Sequence, residues 1–222
     1  MKGCRPLDQR EIHQVMQAFT GRNRLRDRAL FLLGVTCGFR IQELLSLRVQ
    51  DVVFEGRVVD RVTVQKHNTK GSIESRNVLL LGVAREGLLD WITEGLWRRG
   101  YVSPETYLFR SEFGVNRPIG PRHAYRVLAH NYRRNHLAGK LGTHTMRKTY
   151  AKFLYADFQE RRARGEPVEP LPLVSKGLGH KSLNSTMSYL SFMTEDIDIS
   201  ATNFERNVFN NSISNRKNEE AK

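Results

Sequence analysis

The chain has 222 residues, with 36 Lys+Arg against 23 Asp+Glu and a formal net charge of +13, an excess that suits a polyanionic partner. Its longest apolar run, Ala29 to Gly38, is too short to cross a bilayer, and Met1 to Ile12 carries charges without an apolar core, so neither a membrane span nor a signal peptide is expected and the cytoplasm is the default location. Two widely spaced cysteines, Cys4 and Cys37, exclude a disulfide framework or a cysteine zinc site, and the seven histidines show no metal-binding spacing, so no metal or cofactor is expected.

Along the chain, Asp8 followed by Glu11 reads as a helix cap before Ile12, Val15, Met16 and Phe19. Leu25 to Cys37 predicts a second helix with Leu30, Phe31, Leu33 and Val35 in the core, and Cys37 as a small buried hydrophobe. Gly38 can end that helix at positive φ. Ile41, Leu44, Leu45 and Leu47 then resume helical periodicity, which puts Arg40 at the first turn of a new helix with Glu43 one turn on, able to pair with it or position it. From Val52 to Leu81 the pattern changes to β-branched residues at period two, as in a small antiparallel sheet whose last connection, Lys66 to Ser72, is a polar hairpin tip.

Helices are expected again over Val83–Trp97, Pro121–His136 and His144–Phe158, then shorter ones near Leu173–Leu178 and Ser182–Leu190. The charged, proline-rich segment 159–172 reads as an exposed loop. Residues 210–222 have almost no apolar content and read as a disordered tail. The fold class is mainly α with a small antiparallel β-sheet.

The chemistry concentrates toward the C-terminus. Leu178-Gly179-His180 precedes Tyr189, and His144-Thr-Met-Arg147 lies upstream. A phenol is a poor nucleophile near neutral pH, so using one on a phosphodiester requires fixed donors for the charge that develops on phosphorus-bound oxygens. Arg147 and His180 are donors of that kind, and Gly38-Phe39-Arg40-Ile-Gln-Glu43-Leu supplies another arginine far upstream.

In this order, Arg40, a lysine in a strand-turn-strand segment, His144-x-x-Arg147, Leu-Gly-His180 and Tyr189 resemble the motifs of the tyrosine recombinases of the phage integrase family, over roughly Asp8 to Phe209. The resemblance implies a DNA breaking-rejoining catalytic domain over residues 1–209, with double-stranded DNA as partner and no metal or ATP. Tyr189 would be the nucleophile, and Arg40 and Arg147 would clamp the non-bridging oxygens. His144 would bond the phosphate or accept the tyrosine proton, and His180 would donate to the phosphate or orient it. Lys70, in Thr-Lys-Gly, is the favoured general acid, with Lys66 as rival. Position 148, often a second histidine in relatives, is lysine here.

Two departures accompany the resemblance. The segment 159–172 looks like an insertion, and most relatives carry an N-terminal helical domain before the catalytic one, whereas Met1 stands almost at its start. The chain is therefore either a fragment or similar to single-domain members such as the fimbrial-switch recombinases. Recombinases of this family act as tetramers on paired sites, in some cases with a DNA-bending accessory protein, and Asp196 to Phe209 offers apolar residues for docking on a neighbouring protomer or for packing within the chain. A monomeric type IB topoisomerase, or a DNA-binding protein without catalysis, are the competing classes.

Overall fold

The computed structural model describes residues 3–64, 76–100, 102–180 and 182–190. Helix α1 (Gln9–Gln17) starts as its sequence predicts, since the Asp8 carboxylate accepts from the Glu11 N–H at 2.7 Å and Glu11 accepts in return from the Asp8 N–H at 3.0 Å. Helix α2 (Arg24–Cys37) is buried over most of its length and stops at Gly38, whose φ of 63° places it in the left-handed region. The short helices α3 (Ile41–Ser46) and α4 (Val49–Val52) follow and bury Leu44, Leu45, Val49 and Val52.

Two small antiparallel sheets follow, where one was expected. Strands β1 (Val53–Phe54) and β2 (Arg57–Val58) form a tight hairpin through Glu55 and Gly56, both at positive φ. Strands β3 (Arg61–Val64) and β4 (Arg76–Leu79) pair with Arg61 opposite Leu79 and Val64 opposite Arg76. Their alternation places Val62, Val64, Val78 and Leu80 in the core. Helix α5 (Gly82–Asp90) continues through a π-helical turn, Trp91–Leu96, and a 3₁₀ turn, Trp97–Arg99. Trp91 is buried there and donates its indole N–H to the Leu108 carbonyl at 2.7 Å.

Helices α6 (Pro121–Arg134), α7 (Thr143–Ala163), α8 (Pro170–Leu178) and α9 (Leu183–Leu190) complete the described chain. The exposed loop expected over 159–172 is corrected to 164–169: residues up to Ala163 extend α7, and Pro170 opens α8. The reason is local. Gln159-Glu-Arg-Arg-Ala are good helix formers, and the chain turns only at Gly165 (φ 85°). Proline at the first position of a helix loses no hydrogen bond, so Pro170 starts α8 rather than prolonging the loop.

Helix α2 lies directly against α7. A Cβ at Gly34 would sit 2.4 Å from the Met146 sulfur, and one at Gly38 would sit 2.3 Å from the Tyr150 ring, so both glycines are required by the closeness of the two helices. The main core runs from Leu7 through α2 and the sheets to Met146, and Cys37 lies in it as a buried thiol pushed up to about 11 by desolvation. A second, smaller core of Ala151, Val174, Leu178 and Leu190 joins the middle of α7 to α8 and α9.

Candidate active site

Arg40 is the residue from which α3 springs, in extended conformation. Its backbone N–H donates to Glu43 Oε2 at 2.7 Å and its Nη1 to Glu43 Oε1 at 2.8 Å, so the helix cap and the guanidinium are fixed by one carboxylate. Glu43 is 2% exposed while the Arg40 side chain is 38% exposed, so the charge is anchored from inside and presented outward.

Arg147, on the second turn of α7, approaches the same carboxylate at 3.9 Å. It donates from Nη1 to the Gly38 carbonyl and from Nη2 to the Leu178 carbonyl at 2.6 Å. Those two carbonyls belong to the ends of α2 and α8, where helices leave orphan acceptors. Arg147 thus closes two helix termini and ties them to α7. Arg76, at the start of β4, donates from Nη2 to Glu43 Oε2 at 3.1 Å and from Nη1 to the Gly177 carbonyl at 2.6 Å, with its guanidinium 5.6 Å from the centre of the Phe39 ring. Among the described residues, one carboxylate meets three guanidiniums, which leaves the cluster net positive, the sign that suits a phosphate ligand.

His180 follows the turn at Gly179, whose φ of 64° ends α8. Its Nδ1 lies 2.9 Å from the hydroxyl of Thr186, a fully buried residue on α9. Burial, then the charges of Arg147, Arg40 and Arg76, depress the imidazole to about 4, so it is neutral near pH 7. His144 is exposed on the first turn of α7 and is also lowered, by desolvation and then by Arg147, Lys148 and Arg40. Both histidines therefore feel Arg40 and Arg147, and the structure gathers these four residues from three distant stretches of sequence. Lys148 is buried beneath the N-terminal segment, with its ammonium beside Gly3.

Tyr189 occupies the last turn of α9, one turn beyond Thr186. Its side chain lies outside the described residues, as do Lys70, Lys66 and the segment Asp196 to Phe209. Among the described residues, no group of three or more His, Cys, Asp or Glu could hold a metal ion, and no helix is long and apolar enough to cross a membrane.

Arg76 and Thr186 are the site residues that sequence reasoning missed. Arg76 had a legible signal, because at period two it shares a strand face with Val78 and Leu80, and a charged group on an inward face calls for a buried partner. For Thr186 the spacing to Tyr189 puts both on neighbouring turns, but nothing in the sequence points its hydroxyl at His180.

A mainly helical domain with three arginines on one buried glutamate defines the class, and residues 5–195 match the Phage integrase family. The chain belongs to that family. It is 26% identical over 180 residues to a probable integrase/recombinase, YoeC of Bacillus subtilis (strain 168), across 81% of this chain and 84% of that protein. To the tyrosine recombinase XerC of Vibrio cholerae serotype O1 it is 29% identical over 168 residues, 74% of this chain and 46% of XerC. The fold is that of the XerH site-specific recombinase solved on its palindromic difH substrate (TM-score 0.65, 23% identity, 89% of this chain and 52% of XerH). It is also that of the catalytic domain of bacteriophage HP1 integrase (TM-score 0.52, 18% identity, 92% and 96%). The chain spans most of YoeC and of the HP1 domain, and about half of XerC and XerH.

Proposed function

We propose that this chain is a site-specific DNA recombinase that cuts and rejoins double-stranded DNA through a 3′-phosphotyrosine intermediate. The observation that carries the reading is the meeting of Arg40, Arg147 and Arg76 on one buried glutamate, beside a histidine bonded to the helix of Tyr189. In the first step the Tyr189 oxygen attacks phosphorus as the bond to the 5′-oxygen breaks, and that oxygen takes a proton from Lys70 (or Lys66). In the second, a 5′-hydroxyl of another strand attacks the phosphotyrosine, restores a phosphodiester and releases the tyrosine. The bond energy is stored covalently, so neither ATP nor a metal is needed.

Arg40 and Arg147 hold the non-bridging oxygens, where each fork adds stabilisation as negative charge grows. His144 lies at the exposed rim of the same charges, suited to the phosphate or the tyrosine proton, and neutral His180 donates from a ring fixed by Thr186. Exchange of strands calls for four protomers on paired sites, with a DNA-bending accessory protein where the sites are far apart. DNA in the cytoplasm is the setting.

The test is a denaturing gel with nicked duplexes drawn from the DNA flanking the chain's own gene, in EDTA. The expected result is a protein–DNA adduct that survives denaturation and disappears in Tyr189→Phe, while that variant still shifts DNA in a native gel. An adduct that persists in Tyr189→Phe, or cleavage that requires magnesium, contradicts the reading.

A further inference from the structure

Arg76 connects the two junctions that carry candidate catalytic groups. On one side it donates to Glu43, the carboxylate that fixes Arg40, and its guanidinium packs over the ring of Phe39, the residue before Arg40. On the other it donates to the carbonyl of Gly177, and its aliphatic stem crosses the turn at Gly179, where an added Cβ would come within 3.3 Å of Arg76 Cδ. His180 follows directly. Arg76 issues from β4, which belongs to neither junction, so its fork acts as a strut between them.

We infer that Arg76 is a positioning residue that sets the distance and angle between the Arg40 junction and the His180 turn, so that both reach one phosphate together. This inference rests on the recombinase reading above. A planar fork with two separate donors can bond a carboxylate and a carbonyl at once, whereas an ammonium is a point charge that leaves one of them poorly met. The two terminal nitrogens of Arg76 bond Glu43 and the Gly177 carbonyl, so the residue acts through the groups it holds. Its influence appears in the step that needs both junctions in register and not in the binding of DNA, which many other basic side chains support.

The experiment compares wild type, Arg76→Lys and Arg76→Gln on a nicked duplex that wild type is seen to cut, in single-turnover form. Each variant is checked first by thermal melting and by its DNA dissociation constant. The expected result is a folded Arg76→Lys protein that binds DNA within about twofold of wild type and forms the adduct roughly 10- to 100-fold more slowly, the range that a displacement near 1 Å produces. A thermal melt near that of wild type separates this loss from instability, and adding more DNA does not recover the rate. Arg76→Gln, which keeps a donor for Gly177 but loses the charge, falls at or below the lysine variant.

Attachment at the wild-type rate by either folded variant overturns the inference while leaving the recombinase reading intact. Unfolding of both variants makes Arg76 an element of stability only and also overturns it. Absence of an adduct with wild type overturns the recombinase reading, and this inference with it.

Discussion

Arg147 and His180, two groups of the proposed site, are held by different means. Arg147 is 1% exposed on the first half of α7, against α2, in the main core, and its guanidinium is fixed by the carbonyls that end two helices. His180 stands after a glycine turn, and what lies under α8 and α9 is the small core of Ala151, Val174, Leu178 and Leu190. On the proposed mechanism, donors that receive developing charge work best when they need no reorganisation, which Arg147 obtains from its place beside the main core and His180 from its bond to Thr186. The proposed nucleophile Tyr189, which would have to give way to an incoming hydroxyl between the two chemical steps, is carried by α9 over that smaller core.

The largest effect expected from breaking the rigid half is on chemistry. Arg147→Ala removes a buried donor, and the rate of adduct formation should fall about 10²- to 10³-fold, measured in single-turnover cleavage with DNA binding as control. A loss of less than tenfold would move the clamp elsewhere.

Next comes the packing that holds that half together. Gly38→Ala combines a left-handed φ of 63° with a Cβ 2.3 Å from the Tyr150 ring. It should lower stability by roughly 2–4 kcal/mol, read from urea unfolding. A substitution tolerated without cost would mean that α2 and α7 can separate, and that the clamp is less rigid than the comparison holds.

The smallest effect sharpens the description of the other half. His180 is depressed to about 4 from an ordinary value near 6.5. Between those values the unfolded chain takes up the proton and the folded chain does not, so this residue makes stability fall as pH drops from about 6.5 to about 4, and its contribution levels off below. Denaturant midpoints across that range should show the decline, and His180→Gln should flatten it. A slope unchanged by the substitution would place the imidazole in water, not under the arginines.

Much of this was legible in the sequence, for identifiable reasons. The Asp8–Glu11 box, the stop at Gly38 and the period-two strands are local signals, and each names its own element. Arg40 at a helix start could be placed because the stop at Gly38 fixes it, whereas His180 is picked out by the resemblance of Leu-Gly-His to the family's motif. Reading 159–172 as loop failed at both ends, since Gln159 to Ala163 are helix formers that prolong α7 and proline also opens helices, as Pro170 does for α8. The partnership of Arg76 with Glu43 and Gly177 joins strand, helix start and helix end, and such a contact depends on tertiary packing that no local pattern encodes. Thr186 is the same case at shorter range: the helix is predictable, but the histidine that meets it is set by the Gly179 turn.

The most direct measurement is to locate the covalent bond. Trypsin cleavage after Lys181 and Arg206 releases a peptide of residues 182–206 in which Tyr189 is the sole tyrosine. Adduct trapped on a nicked duplex, trimmed with nuclease and digested, should carry its phosphonucleotide on that peptide, and fragmentation spectra should place the added mass on Tyr189. A nucleotide found on any other tyrosine, or on a serine of the same peptide, would contradict the account.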